Sequence, residues 1–446
     1  MLKLFLWLKY LRKKRIVLLS IAAVTLSVTL LIVVASLFTG FINAFERSAV
    51  DTIGDIVVTP PVKFAGYPLL IERFKQIKGI KAATAVLSSQ GLLHLGDGNV
   101  RAVEIWGIQP AQRAAVTDFK QSLLKAKESA QSPSFAIPGS TNKMGGYVGI
   151  GVIAEPNERT DEYDFESAKK IIGRQLVLTT GTMTSTNADG QKQFKRKTIE
   201  FTVADIVFSG IYEIDKTFVY LPIEGLQKAL HPDEDGQLAQ QIQIKLADGA
   251  DIDVAAAQIR GIWEDFAGKK LGWDSYLIRS TNIETSRQMQ SQYVAEFRKQ
   301  MDVLLLIFGI VSFSVVLLVL CIFYMIVITR RKDIAIVKSC GAMNSSVAVI
   351  FVGFGVCIGL VGSFLGTILG YVIMKNINAI EQRLSIVLGL KLWKSSVYMF
   401  SKIPAEIDWS ATWHIVFWAV IAAAVGTLIP SIVAARTSPV DILRYE

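Results

Sequence analysis

The chain has 446 residues, 51% of them apolar and 19% charged, with a formal net charge of +9. Its mean hydropathy of +0.41 excludes an ordinary soluble multidomain protein. The positive charge does not point to a nucleic-acid partner either. Segment 43–298 holds 29 Lys plus Arg against 31 Asp plus Glu, so the basic excess lies beside the apolar runs and not on a soluble face.

Residues 1–15 (MLKLFLWLKYLRKKR) place Leu4, Trp7, Leu8 and Leu11 at helical spacing with basic residues opposite them. This predicts either a short helix lying in the inner interface or the start of the first span. Four runs without Asp, Glu, Lys or Arg follow, at 16–42, 303–328, 345–374 and 411–435. Each exceeds the roughly 20 residues that a helix needs to cross a hydrocarbon core of about 30 Å. The first run is too long for a cleaved export signal and has no small-x-small site close behind it, which predicts a permanent anchor.

Basic clusters stand before the first run (Arg12, Lys13, Lys14, Arg15) and after the second (Arg330, Arg331, Lys332). They predict cytoplasmic flanks there, a cytoplasmic tail at 436–446 and an extracytoplasmic loop at 375–410. The expected fold is therefore an α-helical membrane protein with four transmembrane helices plus a large α+β extracytoplasmic (periplasmic) domain at 43–298. Cys321, Cys340 and Cys357 all lie outside that domain, so disulfides cannot hold it together.

Within the domain, short strands and helices alternate, in what reads as two lobes. Strands are expected at 55–59, 81–95, 100–106, 174–180, 201–208 and 241–246, with helices at 68–77 and 254–266. The polar stretch 121–146 reads as a mobile insertion or a lobe junction. A polar hairpin spans 182–197, with Asn187-Ala188-Asp189-Gly190 at its tip. From about Ile283 no Pro or Gly interrupts the chain until Gly309, which predicts a stalk helix continuous with the second span. The third span carries Gly355, Gly359, Gly362, Gly366 and Gly370, a column that lets helices pack closely, within the chain or between copies.

A search for chemistry is negative. No G-x-x-x-x-G-K-[ST] occurs, His94, His231 and His414 are dispersed, and there is neither an H-E-x-x-H nor a G-x-S-x-G motif. The spans carry no charged residue of the kind that marks ion relays. The expectation is a chain that is not an enzyme and has no catalytic residue, cofactor or metal of its own.

Thr329–Phe351 (TRRKDIAIVKSCGAMNSSVAVIF) resembles the R-x-x-E-I-A-I-x-K-x-x-G-A segment of FtsX/MacB-type (type VII) ABC transporter permeases, with Asp333 in place of the usual Glu. The ending, Ile429-Pro430 through Pro439-Val440-Asp441-Ile442-Leu443-Arg444-Tyr445-Glu446, is similar to that family's Y-P-x-x-x-A-x-x-x-x-P-x-x-x-L-R-x-E. Phe201–Leu221 (FTVADIVFSGIYEIDKTFVYL) and Val397–Trp409 (VYMFSKIPAEIDW) resemble the LolC/LolE lipoprotein-releasing branch. Residues 155–157 and 165–173 depart from its pattern.

The resemblance implies an inner-membrane permease that pairs with a second permease, identical or paralogous, and with two copies of an ATPase that carry the ATP and Mg. It implies a coupling helix at 329–344, to which Lys338 also belongs, in which Arg331, Lys332 and Asp333 make polar contacts with the ATPase. Ile334, Ala335 and Val337 would sit in the ATPase's groove, and Gly341 would close the segment. It implies lipoprotein cargo drawn from membrane lipid and a periplasmic carrier. Thr182, Met183, Asn187, Asp189, Gln191, Lys192 and Lys195 form the candidate carrier-binding hairpin, or else a plain surface hairpin. Export of drugs, peptides or toxins is the competing function, and an FtsX-like transmembrane signalling scaffold is a third.

Overall fold

The structure, a computed structural model, describes residues 15–96, 98–137, 143–157, 160–184, 193–232, 237–329, 331–339, 341, 343–389 and 391–436. It divides into two units. One comprises Met1–Asn43, Ala295–Glu381 and Ile403–Glu446; the other comprises Ala44–Val294 and Gln382–Lys402. The first 14 residues and the tail 437–446 lie outside the described residues, and with them the expected interfacial helix.

Helix α1 (Arg15–Ile53) leads into the second unit. Among the described residues its main sheet has nine strands: β1 (Ile56–Thr59), β2 (Ile80–Gly96), β3 (Asn99–Ile108), β4 (Gly145–Gly149), β5 (Gln175–Thr184), β6 (Gln193–Val207), β7 (Phe218–Pro222), β8 (Gln241–Leu246) and β9 (Asn282–Thr285). They are ordered β9-β1-β8-β2-β3-β7-β4-β6-β5, and β5 pairs again with β2. That second pairing closes β2, β3, β7, β4, β6 and β5 into a six-stranded barrel, which removes the open edges of a free sheet. The 17-residue β2 serves both parts of the sheet. Its first half pairs with β8 (Val86↔Gln241), and its second half pairs with β3 (Gly91↔Val103) and β5 (Gly91↔Thr180).

Strand alternation buries both faces of the barrel wall. Leu93, Ile105, Leu178, Phe201, Val219 and Leu221 join the main core, while Trp106, Tyr147, Val207 and Tyr220 form a second core under Phe119 and Leu123. Helix α2 (Pro110–Val116) lies beside that second core. Helix α3 (Ile252–Lys269), capped by the Asp251 carboxylate, sends Ile259, Trp263 and Phe266 into the main one.

Two expectations need correction. The start of the polar stretch after Gln121, expected to be mobile or a lobe junction, is pinned to the barrel. Leu123 is fully buried, and the backbone N–H groups of Lys125 and Ala126 donate to the buried carboxylate of Asp205 at 3.0 and 2.8 Å. Residues 138–142 of that stretch lie outside the described residues. The stalk, helix α4 (Ser286–Thr329), starts after Ile283, because Ile283 is paired with Val58 in β9. A reciprocal cap sets its first turn: Thr285 Oγ1 accepts from Gln288 N–H at 3.2 Å, and Gln288 Oε1 accepts from Thr285 N–H at 3.0 Å. The helix then runs for 44 residues, about 66 Å.

Helix α5 (Arg331–Ser339), α6 (Asn344–Lys375), α7 (Ile377–Leu388) and α8 (Trp409–Arg436) complete the chain. Helices α1, α4, α6 and α8 are long and apolar enough to cross a membrane. The segment after α7 is built into the second unit. The Asp161 carboxylate accepts from Ser395 N–H at 2.6 Å and from its hydroxyl at 2.7 Å, and Met399 C=O accepts from Tyr212 N–H at 2.9 Å. Among the described residues, Asp161 (φ +54°) and Met399 (φ +66°) are the non-glycine positions in the left-handed region, so the backbone strain gathers where this segment docks.

Candidate functional site

Three places carry the residues singled out in the sequence. The first is α5. Its amphipathic face buries Ile334 (7% exposed) with Val327 of α4, Val347 of α6 and Ala434 of α8, and the adjacent Ala335 is 0% exposed. Lys338 Nζ donates to Ala435 C=O at 2.8 Å, a cation on the last turn of α8, where the helix dipole favours one. Gly341, at φ +92°, makes the turn toward α6.

Ile334 and Ala335 are therefore buried within this chain's own packing. Helical periodicity turns the neighbouring Ile336 outward instead, at 53% exposed. The sequence contained that signal as the 3.6-residue phase of IAIV, but which phase faces inward depends on α4, α6 and α8. The side chains of Arg331, Lys332, Asp333 and Val337 lie outside what the structure describes.

The second place is the glycine column of α6, which divides between two neighbours. A Cβ on Gly355 would collide with Thr427, and one on Gly359 would meet Ala423 at 3.0 Å, both on α8. On Gly362, Gly366 and Gly370 it would meet Val24, Val28 and Ile32 of α1 at 2.8, 2.8 and 3.1 Å. Helix α6 is thus wedged between α1 and α8, and Thr29 Oγ1 donates to Gly366 C=O at 3.1 Å across the first contact. The column is packing within the chain, achieved because absent side chains let the backbones approach.

The third place is the β5–β6 hairpin. Barrel closure against β2 ends at Thr180, and beyond it the two strands continue as a ribbon, with Thr182 opposite Lys195, Met183 opposite Phe194 and Thr184 opposite Gln193. Asn187, Asp189, Gln191 and Lys192 lie outside the described residues. At the ribbon's base, Gln90, Glu104, Thr179, Thr180, Arg196 and Glu213 line an open depression of about 920 Å³.

The histidines have local partners: His94 bonds to Thr179 Oγ1 at 3.0 Å and His414 to Ser410 C=O at 2.7 Å. Among the described residues, no group of three or more His, Cys, Asp or Glu gathers as a metal site.

Sequence reading missed the buried carboxylates. Asp215, 1% exposed, accepts from Ser209 N–H (2.6 Å), the Ser209 hydroxyl (2.8 Å) and Gly210 N–H (3.0 Å). Burial pushes its carboxyl up to about 7, against the opposing pull of those donors. It shapes the Ser209-Gly210-Ile211 turn, the same turn on which the 395–401 segment docks through Tyr212 and Met399. The sequence signal was present in Tyr212-Glu213-Ile214-Asp215, but nothing local marked Asp215 as the buried member.

Against known families, residues 17–262 match the MacB-like periplasmic core domain, and residues 305–439 match the FtsX-like permease C-terminal. The lipoprotein-releasing system transmembrane protein LolC of Neisseria meningitidis is 25% identical over 454 residues, covering 98% of both chains. LolC of Xylella fastidiosa is 24% identical over 456 residues with the same coverage. Among solved structures, the periplasmic region of MacB from Actinobacillus actinomycetemcomitans gives a TM-score of 0.33 at 13% identity, covering 55% of this chain and 95% of that one.

Proposed function

The chain belongs to the FtsX/MacB type of ABC transporter permease, and from that premise we propose that it is a permease subunit of a lipoprotein-releasing machine. The observation that carries the cargo assignment is the similarity to relatives named LolC across 98% of both chains, which includes the domain and the membrane helices alike.

In this reading the chain lies in a bacterial inner membrane with both termini cytoplasmic and the β-barrel unit periplasmic, which the basic flanks support. It carries no phosphate-binding loop, so a separate ATPase, in two copies, supplies ATP hydrolysis and the Mg. That ATPase docks on α5, where Ile336 provides the exposed apolar contact. A second permease covers α4, whose most apolar stretch is only 6% buried within this chain, against 28 to 39% for the other three helices. Acylated protein enters beside α4 from the lipid. The β5–β6 ribbon and the depression at its base receive the periplasmic carrier. Helices α1 and α4, about 58 and 66 Å long, exceed the roughly 30 Å hydrocarbon core and carry the displacement outward.

The match to the MacB-like core domain favours a second reading, export of a drug, peptide or toxin. Purification of the protein in lipid nanodiscs, with mass spectrometry of associated proteins and acylated species, separates the two. The expected result is an ATPase together with triacylated lipoprotein. An ATPase with an outer-membrane duct and no lipoprotein would transfer the assignment to export, and an ATPase with a cell-wall hydrolase would transfer it to signalling.

A further inference from the structure

Arg113 of α2 is 2% exposed, and among the described residues no salt bridge reaches it. A guanidinium taken out of water without a carboxylate is a costly arrangement unless other groups offset its charge. Three kinds of group do so here. Its plane lies among aromatic rings, with Cζ 4.7, 5.3 and 5.6 Å from the centroids of Trp106, Phe119 and Tyr220. Nη1 donates to Gln243 Oε1 on β8 at 3.0 Å. Nη2 donates to the C=O of Thr52 at 2.9 Å, in the last turn of α1, where the helix dipole concentrates negative charge.

The end of α1 is enclosed on its other sides too. Gly54, at φ +87°, closes the helix, and a Cβ there would meet Ile244 C=O at 2.8 Å and Val116 at 3.0 Å. Asp55 N–H donates to Ile244 C=O at 2.9 Å, and the Asp55 carboxylate accepts from Leu246 N–H at 2.7 Å. The next contact brings in α4: its first residue, Ser286, donates its N–H to Asp55 C=O at 2.9 Å. The outer ends of α1 and α4 therefore meet at one node, and Arg113 is the buried charge at its centre.

We propose that Arg113 is a positioning residue, the joint through which the ends of α1 and α4 are mounted on the β-barrel unit so that helix displacement becomes domain displacement. The bond to Thr52 C=O is what makes the joint stiff. If α1 withdraws, the guanidinium keeps its aromatic walls but loses the helix end that offsets its charge, so the helix end and the barrel move together or not at all. Geometry also selects arginine: two separate acceptors and a flat face against rings suit a planar guanidinium, which the single point charge of lysine does not replace. This inference rests on the transport reading for its consequence but not for its geometry.

The test uses the complete permease with its ATPase in nanodiscs, with Arg113→Met and Arg113→Lys. Hydrogen exchange is followed at residues 48–55 and 286–292, with β5 and β6 as internal reference. Arg113→Met is expected to speed exchange at both helix ends about tenfold while the barrel strands stay protected. Lipoprotein released per ATP hydrolysed should fall while hydrolysis continues. Arg113→Lys, which keeps the charge but has a single donor nitrogen in place of the forked guanidinium, should fall between wild type and Arg113→Met and covers the case in which the latter does not fold. Unchanged exchange at the helix ends, or equal loosening of the whole barrel, overturns the joint. A wild-type complex that releases no lipoprotein refutes the cargo reading instead and leaves the exchange result to decide the joint.

Discussion

Asp215 shows how one buried group makes the domain sensitive to pH. Its folded value of about 7 lies above the ordinary 3.8, so the protonated form favours folding. The contribution is complete below about pH 4 and is lost as pH rises through about 7. Asp215→Asn cannot titrate, so relative to wild type the variant should gain thermal stability steadily between pH 4 and pH 8. Parallel melting profiles would return Asp215 to the ordinary carboxylate range. A second residue-scale contrast lies on α5. Ala335→Glu puts a charge at a fully buried position and should destabilise the chain by about 2 to 4 kcal/mol. Ile336→Glu changes an exposed position and should leave the melting temperature unchanged while reducing co-purified ATPase. ATPase retention by Ile336→Glu would remove α5 from the proposed docking surface. Which of Ile334, Ala335 and Ile336 faces inward was not legible locally, because adjacent apolar residues look alike until the neighbouring helices define an inside.

At the scale of elements, α6 depends on what its glycines lack. Replacing Gly366 with Leu would set a Cβ 2.8 Å from Val28 and 2.9 Å from Thr25 C=O, and a backbone oxygen cannot swing aside as a side chain can. Separation of α1 from α6 should cost about 1 to 3 kcal/mol, read as a lowered melting temperature in nanodiscs. Gly309 of α4 has nothing within 4 Å of the same construction, so Gly309→Ala should be neutral or slightly stabilising. Equal effects of the two substitutions would show that the α1–α6 approach is not set by glycine. The strands show the opposite dependence. The strands expected at 81–95 and 201–208 fall on β2 and β6, yet the closure of β5 onto β2 had no local signal, since Thr179 and Thr180 carry the same side chains whether paired or free.

For the whole molecule, continuity of helix is the feature that joins the apolar helices to the domain. Helices α1 and α4 both run past the length a bilayer requires, and Asp55 C=O brings the start of α4 to the end of α1. The segment Gln382–Lys402 adds a third connection, because it packs with the domain through Asp161, Tyr212 and Met399. A domain inserted between the first and second apolar helices is therefore also held by the chain between the third and fourth.

The sequence by itself determined the four long apolar helices, the α+β character of the inserted domain and the family, because these depend on hydropathy summed over many residues and on contiguous motifs. Tertiary structure alone decided the barrel closure, the inward face of α5, the split of the glycine column between α1 and α8, and the placement of Arg113 at the end of α1. Each of these pairs residues far apart in the chain: Thr52, Arg113 and Gln243 become neighbours only when α1, α2 and β8 pack together. A local pattern states how much surface a segment must bury, whereas the partner that buries it is chosen by the rest of the fold.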